Sequence, residues 1–238
     1  MTELTARELL VHLYETAIDA VDGRRLVQQW CRENPSATFT HCIAIGKAAS
    51  AMLQGAFDSR HTINSALLIT TREKVTRELK RNKKVTIVES AHPVPEQSSL
   101  DAGDVLLKYL RAVPQQSPLL VLVSGGASSM VEVVVDGLSL SQLQQINRYL
   151  LASGKNIHLM NAWRKRFSKI KGGGLLRYVR HLLCTQLIIS DVQDNDPAII
   201  GSGLLVQSED ESRDDDDWLQ SQLPDDMQHS ETVRPVTT

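Results

Sequence analysis

Short aliphatic runs that stop at glycine, serine or aspartate and are then followed by helical spacing constrain this chain more than any other feature. The runs are Phe39 to Ile45, Ala66 to Thr70, Val85 to Glu89, Leu119 to Ser124 and Leu187 to Ser190. Three of them show little polar alternation, which suits strands covered by helices on both faces. Helical periodicity lies between most of them, at Ala48 to Phe57, Ser99 to Arg111, Ser139 to Ala152, Asn156 to Phe167 and Gly174 to His181, with Ser139 and Asn156 placed as caps. Two more helices are expected at residues 5 to 21 and Arg24 to Glu33. The economical fold is α/β, a Rossmann-like three-layer α/β/α sandwich with a mostly parallel sheet.

Length and charge narrow the function classes. A chain of 238 residues with 42% hydrophobic residues can bury one sizeable core. Lys and Arg number 26 against 28 Asp and Glu, so there is no global field to attract nucleic acid or an anionic membrane, and neither is expected as a partner. Anion recognition must be local. Cys31, Cys42 and Cys184 are odd in number and widely spaced, which indicates three buried thiols in a reducing cytosol rather than a disulfide framework or zinc site. The first residues lack a basic start followed by an apolar core, and no run approaches the ~20 apolar residues of a membrane span. A soluble, cytoplasmic protein is expected. Residues 1–206 read as one domain, and 207–238, rich in Asp and Glu, read as an acidic disordered tail.

The strand ends carry the chemistry. Gly46-Lys47 joins a buried strand to a helix, where glycine permits close approach and the helix start offers N–H groups to an anion. This is not the full phosphate loop with two spaced glycines, and a solvated first-turn lysine gives the same pattern. Ser124-Gly125-Gly126-Ala127-Ser128-Ser129 is a stronger signal, a small-residue turn that can expose successive N–H groups and hydroxyls as an anion nest. His92 lies in a loop stiffened by Pro93 and Pro95, placed to meet a substrate oxygen or to serve the loop alone. Asn161, Arg164 and Lys171 precede Gly172-Gly173-Gly174 and supply cations beside a flexible turn, for phosphate or carboxylate. Asp191 and Asp196 follow the last run and are candidates for Mg²⁺, with turn formation as the plain alternative.

As an ensemble the segments IGKAASAM, SAHPVPEQSSLDAG, LVSGGASSMV, LLASGKNIHLMNAWRKRFSKIKGGGL and LIISDVQDNDPAIIGSG resemble the N-terminal part of the glycerate 2-kinase family, some members of which carry the label hydroxypyruvate reductase. The resemblance implies ATP-dependent phosphorylation of D-glycerate to 2-phosphoglycerate with Mg²⁺, and a catalytic role for Lys47. In that scheme Ser124 to Ser129 hold a phosphate or the glycerate carboxylate, Arg164 and Lys171 clamp negative charge, and His92 orients substrate. An NAD-linked reductase has less support, because no GxGxxG follows a strand. The family pattern differs at Ala127 (glycine), Arg166 (histidine), Asp194 (glycine) and Leu204 (proline). The family also implies a C-terminal domain across the cleft, and the expectation is that the acidic stretch stands in its place here. The expectation is a half-enzyme completed by a separate chain or an oligomer, a non-catalytic glycerate-, phosphate- or nucleotide-binding module, or a truncated gene product.

Overall fold

The computed structural model describes residues 5–207 and 216–222. Two helices, α1 (Ala6–Ala20) and α2 (Gly23–Glu33), lead into β1 (His41–Ile45), α3 (Ala49–Phe57) and β2 (Ser65–Thr70). There follow α4 (Arg77–Arg81), β3 (Val85–Glu89), α5 (Gln97–Ala112), β4 (Pro118–Ser124) and α6 (Ala127–Met130). The chain closes with α7 (Leu140–Ala152), α8 (Ile157–Arg166), α9 (Leu176–Val179), β5 (Leu183–Ile189) and α10 (Asp217–Ser221). All strand pairs are parallel, in the order β3-β2-β1-β4-β5.

This order makes β1 the pivot of the fold. The chain winds outward through β2 and β3, then returns to the other side of β1 as β4. Crossovers on opposite sides of a central strand leave a crevice at its carboxyl end, where open α/β sheets bind ligands. Ile45 is in register with both Ile69 and Val123, so the loops after β1 and β4 start at the same level.

Alternation along the strands divides the core into two layers. Ile43, Ile45, Leu67, Ile69, Val121 and Val123 pack with Leu106 and Leu110 of α5 on one face. Cys42, Ala44, Ala66, Leu68, Leu120 and Leu122 pack with α2, α3 and Leu79 of α4 on the other. The expected three-layer α/β/α sandwich is therefore the fold. A third cluster, built on Leu143, Ile146 and Leu150 of α7 with Trp163 and Phe167, holds the α7–α8 hairpin.

Departures from the sequence reading cluster at the periphery. Strand β5 starts at Leu183, four residues before the expected Leu187. It is an edge strand in which Thr185 and Gln186 interrupt the apolar run, and its opening Leu183 and Cys184 are exposed, so the Cys184 thiol is not buried as expected. The helix expected at 174 to 181 shortens to Leu176–Val179. Helix α1 forms with Thr5 and Glu8 as a capping box, yet none of its residues is buried, and Leu9, Leu10, Leu13 and Ile18 all stay exposed. Among the described residues no helix is long and apolar enough to cross a membrane.

Part of the stretch expected to be a disordered tail is a docked helix. Asp216 caps α10 through Leu219 N at 3.0 Å, accepts from Tyr149 Oη at 2.9 Å, and lies 3.2 Å from Lys155 Nζ. Leu219 is fully buried in the α7–α8 cluster and Trp218 lies 4.3 Å from the Tyr149 ring. Two adjacent apolar residues in an acidic stretch are enough to anchor one turn of helix. Residues 208–215 and 223–238 of that stretch lie outside the described residues.

A buried ionic network ties the glycine-rich turn after α8 to the segment after α6. Glu132 and Lys171 form an ion pair with side chains only 1% and 3% exposed. Ser168 Oγ donates to Glu132 Oε1 at 2.5 Å, and the same oxygen accepts Val133 N at 3.0 Å. Removing one member of such a pair strands the other charge in a dry interior, whereas replacing both with apolar groups does not. Glu132→Gln is therefore expected to lose about 3–5 kcal/mol of stability, and Glu132→Leu with Lys171→Met to recover most of it. Urea midpoints of the three proteins check this.

Candidate functional site

The site begins with a close backbone approach between the loop after β1 and the end of β4. Gly46 has φ of +122°, and a Cβ there would stand 2.4 Å from Ser124 Oγ and 2.5 Å from Ser124 O. Only glycine lets the loop after β1 lie this close to the end of β4. The contact is sealed by hydrogen bonds from Lys47 N to Gly125 O at 2.9 Å and from Ala48 N to Ser124 Oγ at 3.0 Å. From the other side, Thr70 Oγ1 donates to Gly46 O at 2.8 Å. Ser124 is buried, so its hydroxyl caps α3 and fixes the loop. It does not line the cradle directly, as the sequence reading had it.

Lys47 extends from this junction toward the carboxyl edge of the sheet. Its Nζ lies 4.0 Å from Asp191 Oδ2, with both side chains half-exposed. Asp191 in turn rests on the glycine loop, since a Cβ on Gly125 would fall 1.9 Å from its Oδ2. Gly126 takes φ of +86°, and a Cβ there would be 2.8 Å from His92 Cδ2. Glycines at these two positions make room for a carboxylate and an imidazole. Gly126 caps α6 with no side-chain hydrogen bond, and Ser129 N and Met130 N bond back to Gly126 O, so Ala127 N and Ser128 N are the first-turn donors left for an anion.

Electrostatics follow from this packing. Burial holds the His92 imidazole below its ordinary pKa, and the Lys47 ammonium pushes the same way, opposed by Asp191 and Glu73. The neutral ring is the favoured form near pH 7. The His92 loop is tied to α6 by Ser90 Oγ, which donates to Met130 O at 2.6 Å. Ser129 Oγ donates to Gly126 O at 3.1 Å and stiffens the same turn. Ser128 Oγ lies 2.8 Å from Ser202 Oγ, and Ser202 Oγ donates to Asn161 Oδ1 at 3.4 Å.

Lys47, Gly46, Gly125, Gly126, His92 and Asp191 thus meet at one edge, while Ser128, Ser129 and Asn161 support it. The remaining sequence candidates have other partners. Lys171 is paired with Glu132 inside the protein, so it anchors a turn where an anion clamp was expected. Arg164 Nε donates to Asn147 Oδ1 at 3.3 Å, and burial draws its guanidinium below its ordinary pKa despite the nearby Glu132. Asp196 Oδ1 accepts from Ala198 N at 2.8 Å, a turn-forming role. Among the described residues no group of three or more His, Cys, Asp or Glu side chains is arranged to hold a metal. One half-exposed carboxylate, Asp191, is the available protein donor at the glycine loop, which suits a Mg²⁺ ion whose other ligands are phosphate oxygens and water.

The side-chain roles of three residues escaped the sequence reading, which took Gly201-Ser202-Gly203 only as a source of backbone donors. Glu132 has a faint signal, a lone acid inside the apolar run Met130 to Val135. Ser90 and Ser202 have none, since serine at a strand end or between glycines is ordinary turn composition.

Comparison with known proteins gives the same outline. The chain is 30% identical over 218 residues to a glycerate 2-kinase from Pyrococcus horikoshii, covering 87% of this chain and 48% of that one. It is 28% identical over 200 residues to the D-glycerate 2-kinase of Thermotoga maritima, covering 83% and 46%. A crystal structure of glycerate kinase from Thermotoga maritima matches with a TM-score of 0.76 at 27% identity, over 84% of this chain and 47% of that chain. The chain spans about half the length of the curated relatives it matches. The resemblance expected from the strand-end segments is borne out by these relatives. The family model described as Domain of unknown function (DUF4147) matches residues 9–234, and the chain belongs to that family.

Proposed function

We propose that this chain forms one wall of a glycerate 2-kinase site, for ATP-dependent phosphorylation of D-glycerate to 2-phosphoglycerate. The observation that carries the reading is the convergence of Lys47, Asp191 and His92 on the Gly125-Gly126 turn at the switch point of the sheet. Phosphoryl transfer asks a protein chiefly to position reactants and to stabilise charge on the transferring group. The Lys47 ammonium supplies mobile positive charge at that edge, and the open N–H groups behind Gly126 bind phosphate or carboxylate oxygens. The neutral His92 ring orients a substrate hydroxyl. Mg²⁺, when bound, would neutralise phosphate charge, with Asp191 as its holder.

The relatives are about twice as long as this chain, and a kinase cleft works best when water is excluded from both sides. The second wall would come from the other half of that architecture, whether in the same polypeptide, in a separate chain or through an oligomer. That same length relation favours one alternative, a module that binds glycerate, phosphate or nucleotide without turning over. Coupled ADP release with D-glycerate and Mg-ATP distinguishes the two. Turnover supports the kinase, whereas calorimetric binding with no turnover, even with the second half supplied, leaves the binding module. In an active preparation Lys47→Ala is expected to lower kcat by at least about 100-fold while circular dichroism stays unchanged.

The charge relation between Lys47 and His92 gives a second measurement. Removing the Lys47 cation removes one of the two influences that depress the His92 pKa, so Lys47→Ala should raise it. Asp191→Asn removes an opposing charge and should lower it further. Proton NMR titration of the His92 ring in the three proteins reads both shifts, and movement in the opposite sense would separate His92 from the Lys47–Asp191 pair.

A further inference from the structure

Ser202 stands out because its backbone works against its identity. Gly201, Ser202 and Gly203 take φ values of 60°, 58° and 65°, three successive residues in the left-handed region. The two glycines adopt it freely, whereas a side chain at the middle position is strained. Serine there is 1% exposed, so solvent has no part in holding it. Glycine in its place would relieve the strain.

The neighbourhood shows what the hydroxyl does. A Cβ on Gly201 would come within 3.2 Å of Val123 Cγ1 and 3.3 Å of Ala127 Cβ, which seats this turn against the end of β4 and the start of α6. Gly172 N donates to Ser202 O at 2.9 Å and Gly173 N to Gly203 O at 2.7 Å, so the turn is braced from behind. Held there, Ser202 Oγ meets Ser128 Oγ at 2.8 Å and Asn161 Oδ1 at 3.4 Å. Ser128 is the half-buried hydroxyl of the small-residue loop that carries Gly125 and Gly126.

We propose that Ser202 is a positioning residue, kept in a strained conformation so that its hydroxyl orients Ser128 at the anion-binding loop. The inference rests on the reading of that loop as a phosphate or carboxylate site. Strain held at a functional loop by a rigid surround is a known use of disfavoured backbone geometry.

The test uses the full chain titrated with 2-phosphoglycerate and with Mg-ATP, by NMR or calorimetry, alongside thermal melting. Ser202→Gly is expected to melt at the same or a higher temperature than wild type, because the left-handed strain is gone, yet to bind about 5- to 10-fold more weakly. Ser128→Ala should weaken binding by a similar factor. The double variant should bind no worse than Ser128→Ala alone, since one residue acts through the other. Unchanged affinity in Ser202→Gly, or losses that add in the double variant, would overturn the role given to Ser202. Wild-type protein that binds neither ligand would instead overturn the reading of the loop itself.

Discussion

Everything at the site depends on the contact between Gly46 and Ser124. The two residues end the central strand and its neighbour across the switch point, and they sit closer than any side chain on Gly46 would allow. Three consequences follow from that one approach. Lys47 starts from a fixed point, because its N–H is bonded to Gly125 O. Helix α3 receives its cap from a residue of another strand, Ser124. The Gly125-Gly126 turn is left bare on the outer side, where Asp191 and His92 settle. A methyl group at position 46 would push the loop after β1 off the end of β4, and all three would be lost together.

The second constraint is the buried Glu132–Lys171 pair, which works at the rear of the same edge. It fixes the turn through Gly172 and Gly173, whose N–H groups hold residues 202 and 203. That segment supports Ser128 through Ser202. A charged pair in a dry interior adds little net stability over apolar groups, but it tolerates few alternative arrangements, because each leaves a charge unpaired. A site that must place a hydroxyl and several N–H groups to within a fraction of an ångström benefits from that intolerance.

How far the sequence could be read follows from which signals are local. Strands β1, β2 and β4 are apolar because both faces are covered, so their runs appear in the sequence nearly at full length, and edge strand β3 was legible from Val85, Ile87 and Val88. Edge strand β5 is half-covered and mixed in character, so only its carboxyl half could be recognised. The glycine loops were legible because glycine at a strand end has few other uses. The partner of Lys171 was not, since Glu132 lies 39 positions away and no periodicity links the two. Reading Arg164 and Lys171 as an anion clamp assumed that basic residues beside a glycine turn are free for a ligand, and burial with partners of their own overrides that assumption. Docking of α10 was hidden for a similar reason, because the composition of an acidic stretch says nothing of two apolar residues that fit an existing cluster.

The strength of the Lys47–Asp191 pair depends on what covers it. The two groups are 4.0 Å apart and half-exposed. Unit charges at that distance interact by about 1 kcal/mol in water but by about 4 kcal/mol at the effective dielectric of a partly closed site. Open to solvent, Lys47 is a mobile lysine beside a carboxylate, and a passing anion gains little from it. Covering the edge would multiply its attraction for phosphate charge several-fold without moving a residue of this chain. The residues of this chain therefore fix positions, and any closure over them would set how much those positions are worth.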